Sequence, residues 1–179
     1  VILTNSNHKT GTDRITEAAN QINAEIVVNI QGDEALVNPE HIDKVTLSLI
    51  KNLKYDVAIL VNQFKIKNSK SDIKVVVNKN NEILYMSRAD IPFSINNKLN
   101  MLKAYHIVPF RKTFLNTFSN LPVGELEALE SNEYLRIIEN DFKILAVKVE
   151  SNAISVDTEY DLKFIRQKMI DDKIFKIYK

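Results

Sequence analysis

An apolar, β-branched run, Ile26-Val27-Val28-Asn29-Ile30, ends abruptly in Gln31-Gly32-Asp33-Glu34, and that junction constrains the fold more than any other stretch. Such a run reads as a buried strand, and its tip delivers a carboxylate beside a glycine that lets a ligand approach the backbone. In an open α/β sheet, ligands bind at the carboxyl ends of strands. A carboxylate placed there is suited to a divalent cation on a phosphate group. The same residues also read as an ordinary polar turn.

The flanking chain supports a layered α/β fold. Residues 1–4 read as a short strand, and the chain therefore begins inside an element, which suggests a missing N-terminal portion. A polar loop, 5–11, leads to Thr12 as a helix cap with Asp13 in the first turn. Ile15, Ala18, Ala19 and Ile22 recur at helical spacing. Asn38-Pro39 is a cap followed by a first-position proline, opening a helix with Ile42, Val45 and Leu49 on one face. A strand over 56–61 completes a β-α-β-α-β rhythm, which predicts a parallel sheet.

Beyond residue 62 the rhythm changes. Runs 73–77 and 82–87 flank Asn78-Lys79-Asn80-Asn81 and predict a hairpin. A loop over 89–100 precedes an extended run, 102–110, in which Pro109 suggests a sheet edge or a strand end. A helix is expected over 111–120 and a break at 121–124. A charged helix over 125–140 turns Leu126, Leu129, Ile137 and Ile138 inward and leaves Glu127, Glu130 and Glu133 on a solvated, ion-paired face. A strand follows over 142–149. Thr158 and Asp161 form a capping-box start to the last helix, with Leu162, Ile165 and Met169 on one face and a fraying basic tail.

Composition removes several classes of function. The 179 residues carry 24 basic and 23 acidic side chains, so no net field favours nucleic acid or an anionic membrane. Cysteine is absent, which excludes disulfides, thiolate zinc sites and cysteine nucleophiles. Apolar content is 45%, enough for a real core, without a run long enough to span a bilayer. A cytoplasmic location is the expectation. The three glycines are too dispersed for a phosphate-cradling loop of the usual kind, and the three histidines are too far apart to suggest a metal site.

The candidate site residues follow from position. Asp33 and Asp157 each close a short apolar run, and in a parallel sheet both would emerge on one edge, where paired carboxylates suit Mg²⁺. Asp157 also reads as part of an ordinary helix start. The loop from His8 to Arg14 enters a helix N-terminus, where free N–H groups bind anions; it equally reads as a capped loop. Arg88 could bind a carboxylate or phosphate bidentately, or lie on the surface.

Five motifs occur in a specific order: His8 to Arg14, Asn29 to Glu34, Lys74 to Pro92, Leu126 to Arg136 and Val156 to Leu162. Together the chain resembles the 3-deoxy-manno-octulosonate cytidylyltransferases, the CMP-Kdo synthetases. The resemblance implies a Rossmann-like α/β nucleotidyltransferase sheet, N-terminally truncated, forming a single domain over 1–179. A β-rich insertion at about 70–120 would serve as a dimerisation lobe. It implies transfer of CMP from CTP to a 3-deoxy sugar acid (Kdo or a close relative) with Mg²⁺, for lipopolysaccharide or capsule synthesis. Asp33 and Asp157 would be the metal-binding catalytic residues. Thr10 and Gly11 match the cytidine loop, Gln31 and Arg88 the residues that hold the sugar acid, and Glu127 the sugar-binding wall. The alternative is a non-catalytic paralogue acting as a dimerising or regulatory module. Where the family reads Arg-His-x-Gly-Ile-Tyr-Gly-Tyr, this chain has Lys103 to Phe110, so the sugar-contacting His and Tyr become Ala104 and Val108. The first β–α loop, whose Arg and Lys hold the triphosphate, has no counterpart here.

Overall fold

The computed structural model describes residues 1–96, 100–151, 154–156 and 158–177. The element that anchors it is the strand β3 (Val57–Phe64). Its residues alternate between two cores. Val57, Ile59 and Val61 pack into one, and Ala58 and Leu60 into the other. Both faces of β3 are covered, which is why it reads as an uninterrupted apolar run. Each large apolar side chain buried here contributes about 1.5–3 kcal/mol.

The sheet is mixed rather than parallel. The edge strand β1 (Ile26–Ile30) pairs antiparallel with β7 (Ile107–Arg111), and β7 touches β3 antiparallel through Val57 and Phe110. β3 then pairs antiparallel with β6 (Met101–Tyr105) and parallel with β8 (Ile144–Val149). β1, β3 and β8 therefore run the same way, and the 101–111 segment inserts against them. The predicted hairpin is β4 (Lys74–Val77) and β5 (Ile83–Ser87), with Asn81 at φ 58° in its turn. A bridge between Glu82 and Leu145 curls this hairpin back onto β8.

Helix α1 (Gly11–Asn20) and helix α3 (Lys112–Asn120) cover one face, and α2 (Pro39–Lys51) the other. α2 starts as expected, with Asn38 accepting from the Glu40 N–H and Val45 and Leu49 buried. α1 is capped by Thr10, not Thr12. Thr12 is instead fully buried on the inward face with Thr16 and Ala19, because its hydroxyl has a tertiary partner.

Other expectations need correction. Residues 1–4 join no ladder among the described residues. Arg14 donates to Thr4 Oγ1 and Asn5 O, and Asn5 N–H to Glu17. Pro109 lies in the interior strand β7, where β3 pairs only at the next residue, so the missing N–H costs little of the ladder. The helix expected over 125–140 is two, α4 (Glu125–Glu130) and α5 (Leu135–Glu139), broken where Ser131 adopts φ 48°. Leu129 is consequently exposed. The tail forms a turn of helix, α7 (Lys173–Ile177), after the capping-box helix α6 (Glu159–Asp171). Among the described residues, no helix is long and apolar enough to cross a membrane.

Candidate active site

The tip of β1 opens into a cleft of about 620 Å³, and the sequence-predicted residues gather there. Thr10, Gln31, Asp33, Arg88 and Glu127 all line it. Gly11, the next residue to Thr10, is exposed at the start of α1, and a side chain there would meet nothing within 4 Å. Gly32 is equally open. Protein packing therefore does not explain either glycine. Asp157 lies outside the described residues. A second hollow, about 900 Å³ between Phe64 and the C-terminal helices, gathers none of these side chains.

Asp33 is exposed, and no side-chain hydrogen bond or ion pair engages its carboxylate among the described residues. Its carbonyl accepts from Val156 N–H at 2.9 Å. This contact extends a small antiparallel pair, β2 (Glu34–Ala35) with β9 (Ile154–Ser155). The two motifs thus meet through a two-stranded antiparallel sheet, not along one edge of a parallel one. Glu34 turns inward, with its side chain only 3% exposed, and lies 3.4 Å from His106 Nδ1. Burial pushes its pKa up, but hydrogen bonds and charge from His106 outweigh this and hold it below the usual glutamate value.

Arg88 enters from the end of β5. Its N–H donates to Glu130 Oε2 at 2.8 Å, and the buried Lys74 ammonium donates to its carbonyl. Burial lowers the Lys74 pKa. The guanidinium is held by backbone carbonyls of Lys70, Ser71, Glu130 and Ser131, with no carboxylate within ion-pair distance among the described residues. Neutral acceptors fix its position and take four of its five N–H donors, leaving one N–H and a charge with no direct carboxylate contact for an anionic substrate.

Glu127, Glu130 and Glu133 are not on a solvated face. Glu127 is buried against Arg136, with contacts of 2.7 and 2.6 Å. Glu130 accepts from Ser87 and Arg88, and Glu133 accepts the Thr12 hydroxyl at 2.7 Å. Glu139 caps α4, accepting from Leu126 and Glu127 N–H, and its carboxylate fills the space a side chain at Gly124 would need. The break at Ser131 turns these carboxylates toward α1 and β5.

The cleft also contains Lys9, His106, Asn132 and Tyr134, none of which was singled out as a site residue from sequence. In the sequence His106 is one of three scattered histidines, and Asn132 falls inside the single helix expected over 125–140, so neither carries a signal for the site.

A sequence model of the family described as cytidylyltransferase matches residues 1–144. The 3-deoxy-manno-octulosonate cytidylyltransferase of Chloroherpeton thalassium is 38% identical over 172 residues, spanning 92% of this chain and 70% of that protein. The chain belongs to the 3-deoxy-manno-octulosonate cytidylyltransferase family. The cytidylyltransferase of the same name from Solibacter usitatus is 36% identical over 170 residues, covering 91% of this chain and 67% of the relative. A solved structure of CMP:2-keto-3-deoxy-manno-octonic acid synthetase complexed with CTP superimposes with a TM-score of 0.89 at 32% identity. That match covers 94% of this chain and 71% of the other. The mixed sheet is accordingly that of a cytidylyltransferase of this family.

Proposed function

We propose that this protein transfers CMP from CTP to a 3-deoxy ulosonic acid, Kdo or a close relative, releasing pyrophosphate for lipopolysaccharide or capsule synthesis. The observation that carries the reading is the convergence of Thr10, Gln31, Asp33, Arg88 and Glu127 on one cleft in a chain of this family. The sugar's anomeric hydroxyl oxygen forms the new bond to the α-phosphorus of CTP, its proton passing to solvent. The bond from that phosphorus to the β-phosphate bridge oxygen breaks, and its electrons leave with pyrophosphate.

Arg88 meets the sugar carboxylate, since it is a cation of the cleft fixed by carbonyls with no ion-paired carboxylate among the described residues. Gln31, one residue beyond β1, orients the same acid through its amide. Thr10 and Gly11 take the cytidine at the open start of α1. Glu127 forms the sugar wall, its shape set by Arg136. Asp33 fits a divalent metal: it is an exposed carboxylate beyond the tip of β1 with no competing partner among the described residues, and Mg²⁺ favours one or two carboxylates plus substrate phosphates. Asp157 joins it in this assignment by the family resemblance alone. When bound, Mg²⁺ withdraws charge from the phosphates and lowers the barrier to attack. We also assign residues of about 70–120 to contact with a second copy; Leu84, Phe93 and Ile95 there are exposed apolar side chains.

Mass-spectrometric detection of the CMP-sugar, formed by the intact protein from CTP and Kdo, tests the activity. Absence of any product with Kdo and related ulosonic acids would overturn it.

A further inference from the structure

Two polar atoms of the cleft, Asn132 Nδ2 and His106 Nε2, have no hydrogen-bond partner among the described residues. Asn132 is 6% exposed. Its Oδ1 accepts from Tyr134 N–H at 3.3 Å, which fixes the amide's orientation. Nδ2 is then a buried donor without an acceptor among the described residues. A buried donor left unpaired costs about 1–3 kcal/mol, so it calls for a partner from outside the chain.

His106 sits at the bend between β6 and β7. Its ring stacks on Tyr134, with centroids 6.1 Å apart and planes 20° apart. Nδ1 faces the buried Glu34 carboxylate, which can only accept. Nδ1 therefore carries a proton, and Nε2 is the ring nitrogen left for a ligand. No described residue hydrogen-bonds Nε2. Tyr134 braces both groups, through its ring for His106 and its N–H for Asn132.

We propose that Asn132 and His106 form a hydroxyl-reading subsite that decides which sugar acid is accepted. A hydroxyl, or two neighbouring ones on a polyol chain, satisfies both groups: an oxygen accepts from Asn132 Nδ2, and because a hydroxyl both donates and accepts it pairs with His106 Nε2 whichever role that nitrogen takes. An acid lacking the hydroxyl strands both. The inference rests on the cytidylyltransferase reading and adds the feature of the acceptor that the cleft selects. Glu34 is a positioning residue here, acting through His106.

The test compares the intact wild-type protein with Asn132→Leu and His106→Phe, the latter keeping the ring stack without Nε2. Steady-state constants are measured with Kdo and CTP, and sugar-acid affinity alone by titration calorimetry. The subsite predicts at least a tenfold rise in sugar KM and Kd for each variant, with the CTP KM unchanged. The penalty should disappear for one monodeoxy analogue. Unchanged sugar constants, or an equal rise in both KM values, would overturn it. Asn132→Asp keeps the bond to Tyr134 N–H while losing the donor, and serves if the leucine variant fails to fold. If the wild type binds the acid without forming product, the transfer reading fails alone and the Kd comparison still decides the subsite. If it binds no sugar acid, both fall.

Discussion

Glu127 and Arg136 form a bidentate ion pair in which the side chains are only 8% and 3% exposed. The pair spans the break between α4 and α5 and turns a charged sequence into a wall of the cleft. Arg136 also lies 3.7 Å from Asp13 in the first turn of α1 and packs over the Phe118 ring at 4.5 Å.

Removing one partner leaves a buried charge unpaired, which costs about 3–5 kcal/mol. Arg136→Met should therefore lower stability by that amount in urea denaturation. The double variant Glu127→Leu with Arg136→Met should recover part of the loss. A double variant as unstable as the sum of the two singles would contradict the pairing.

Glu82 ties the β4–β5 hairpin to its surroundings through Lys54, Tyr55 and Asn78. The hydrogen bond from Lys54, then that from Asn78, lowers its pKa from 4.5 to about 2. A depressed carboxyl stabilises the folded state fully above its unfolded pKa and loses that contribution as pH falls through the folded value. The stability difference between wild type and Glu82→Gln should thus shrink between pH 4.5 and about 2. Urea midpoints measured across that window check it, and a constant difference would count against the assignment.

Arg88 should govern sugar affinity separately from nucleotide affinity. A charge-assisted hydrogen bond contributes about 1.5–3 kcal/mol, so Arg88→Met should raise the sugar-acid KM roughly ten- to a hundredfold. Arg88→Lys keeps the charge but loses the fork and should restore only part. A matching rise in the CTP KM would contradict a sugar-specific role.

The exposed Phe93 and Ile95 predict a second-copy contact. Light scattering of the intact protein should give a dimer mass, and Phe93→Glu with Ile95→Glu should shift it to monomer. A wild-type monomer at micromolar concentration would remove the assignment.

How far sequence reached the site depends on which residues act locally. Gln31 and Asp33 are legible because a strand and its tip are contiguous in the chain. The hairpin was legible because asparagine tolerates the left-handed conformation that Asn81 adopts. Thr12 was misread as a cap because its real partner, Glu133, is 121 residues away. The acidic wall was misread because helical spacing assumes an unbroken helix, and serine at 131 is an uncommon residue for a left-handed turn. The parallel sheet was expected from the first five elements, but β7, from the second half of the chain, inserts between β1 and β3. Asn132 and His106 gain meaning only once Tyr134 and Glu34 are folded against them.

In the proposed reaction, Asp33 holds the metal on which cytidylyl transfer depends. The most direct measurement is CMP-sugar formation by the intact protein against Mg²⁺ concentration, for wild type and Asp33→Asn. A metal contributes several kcal/mol of charge stabilisation, and each 1.4 kcal/mol or so is a factor of ten. Wild-type turnover should require Mg²⁺, and Asp33→Asn should fall about a hundredfold or more with an unchanged melting temperature. Turnover at the wild-type rate by the Asp33→Asn variant would contradict the account.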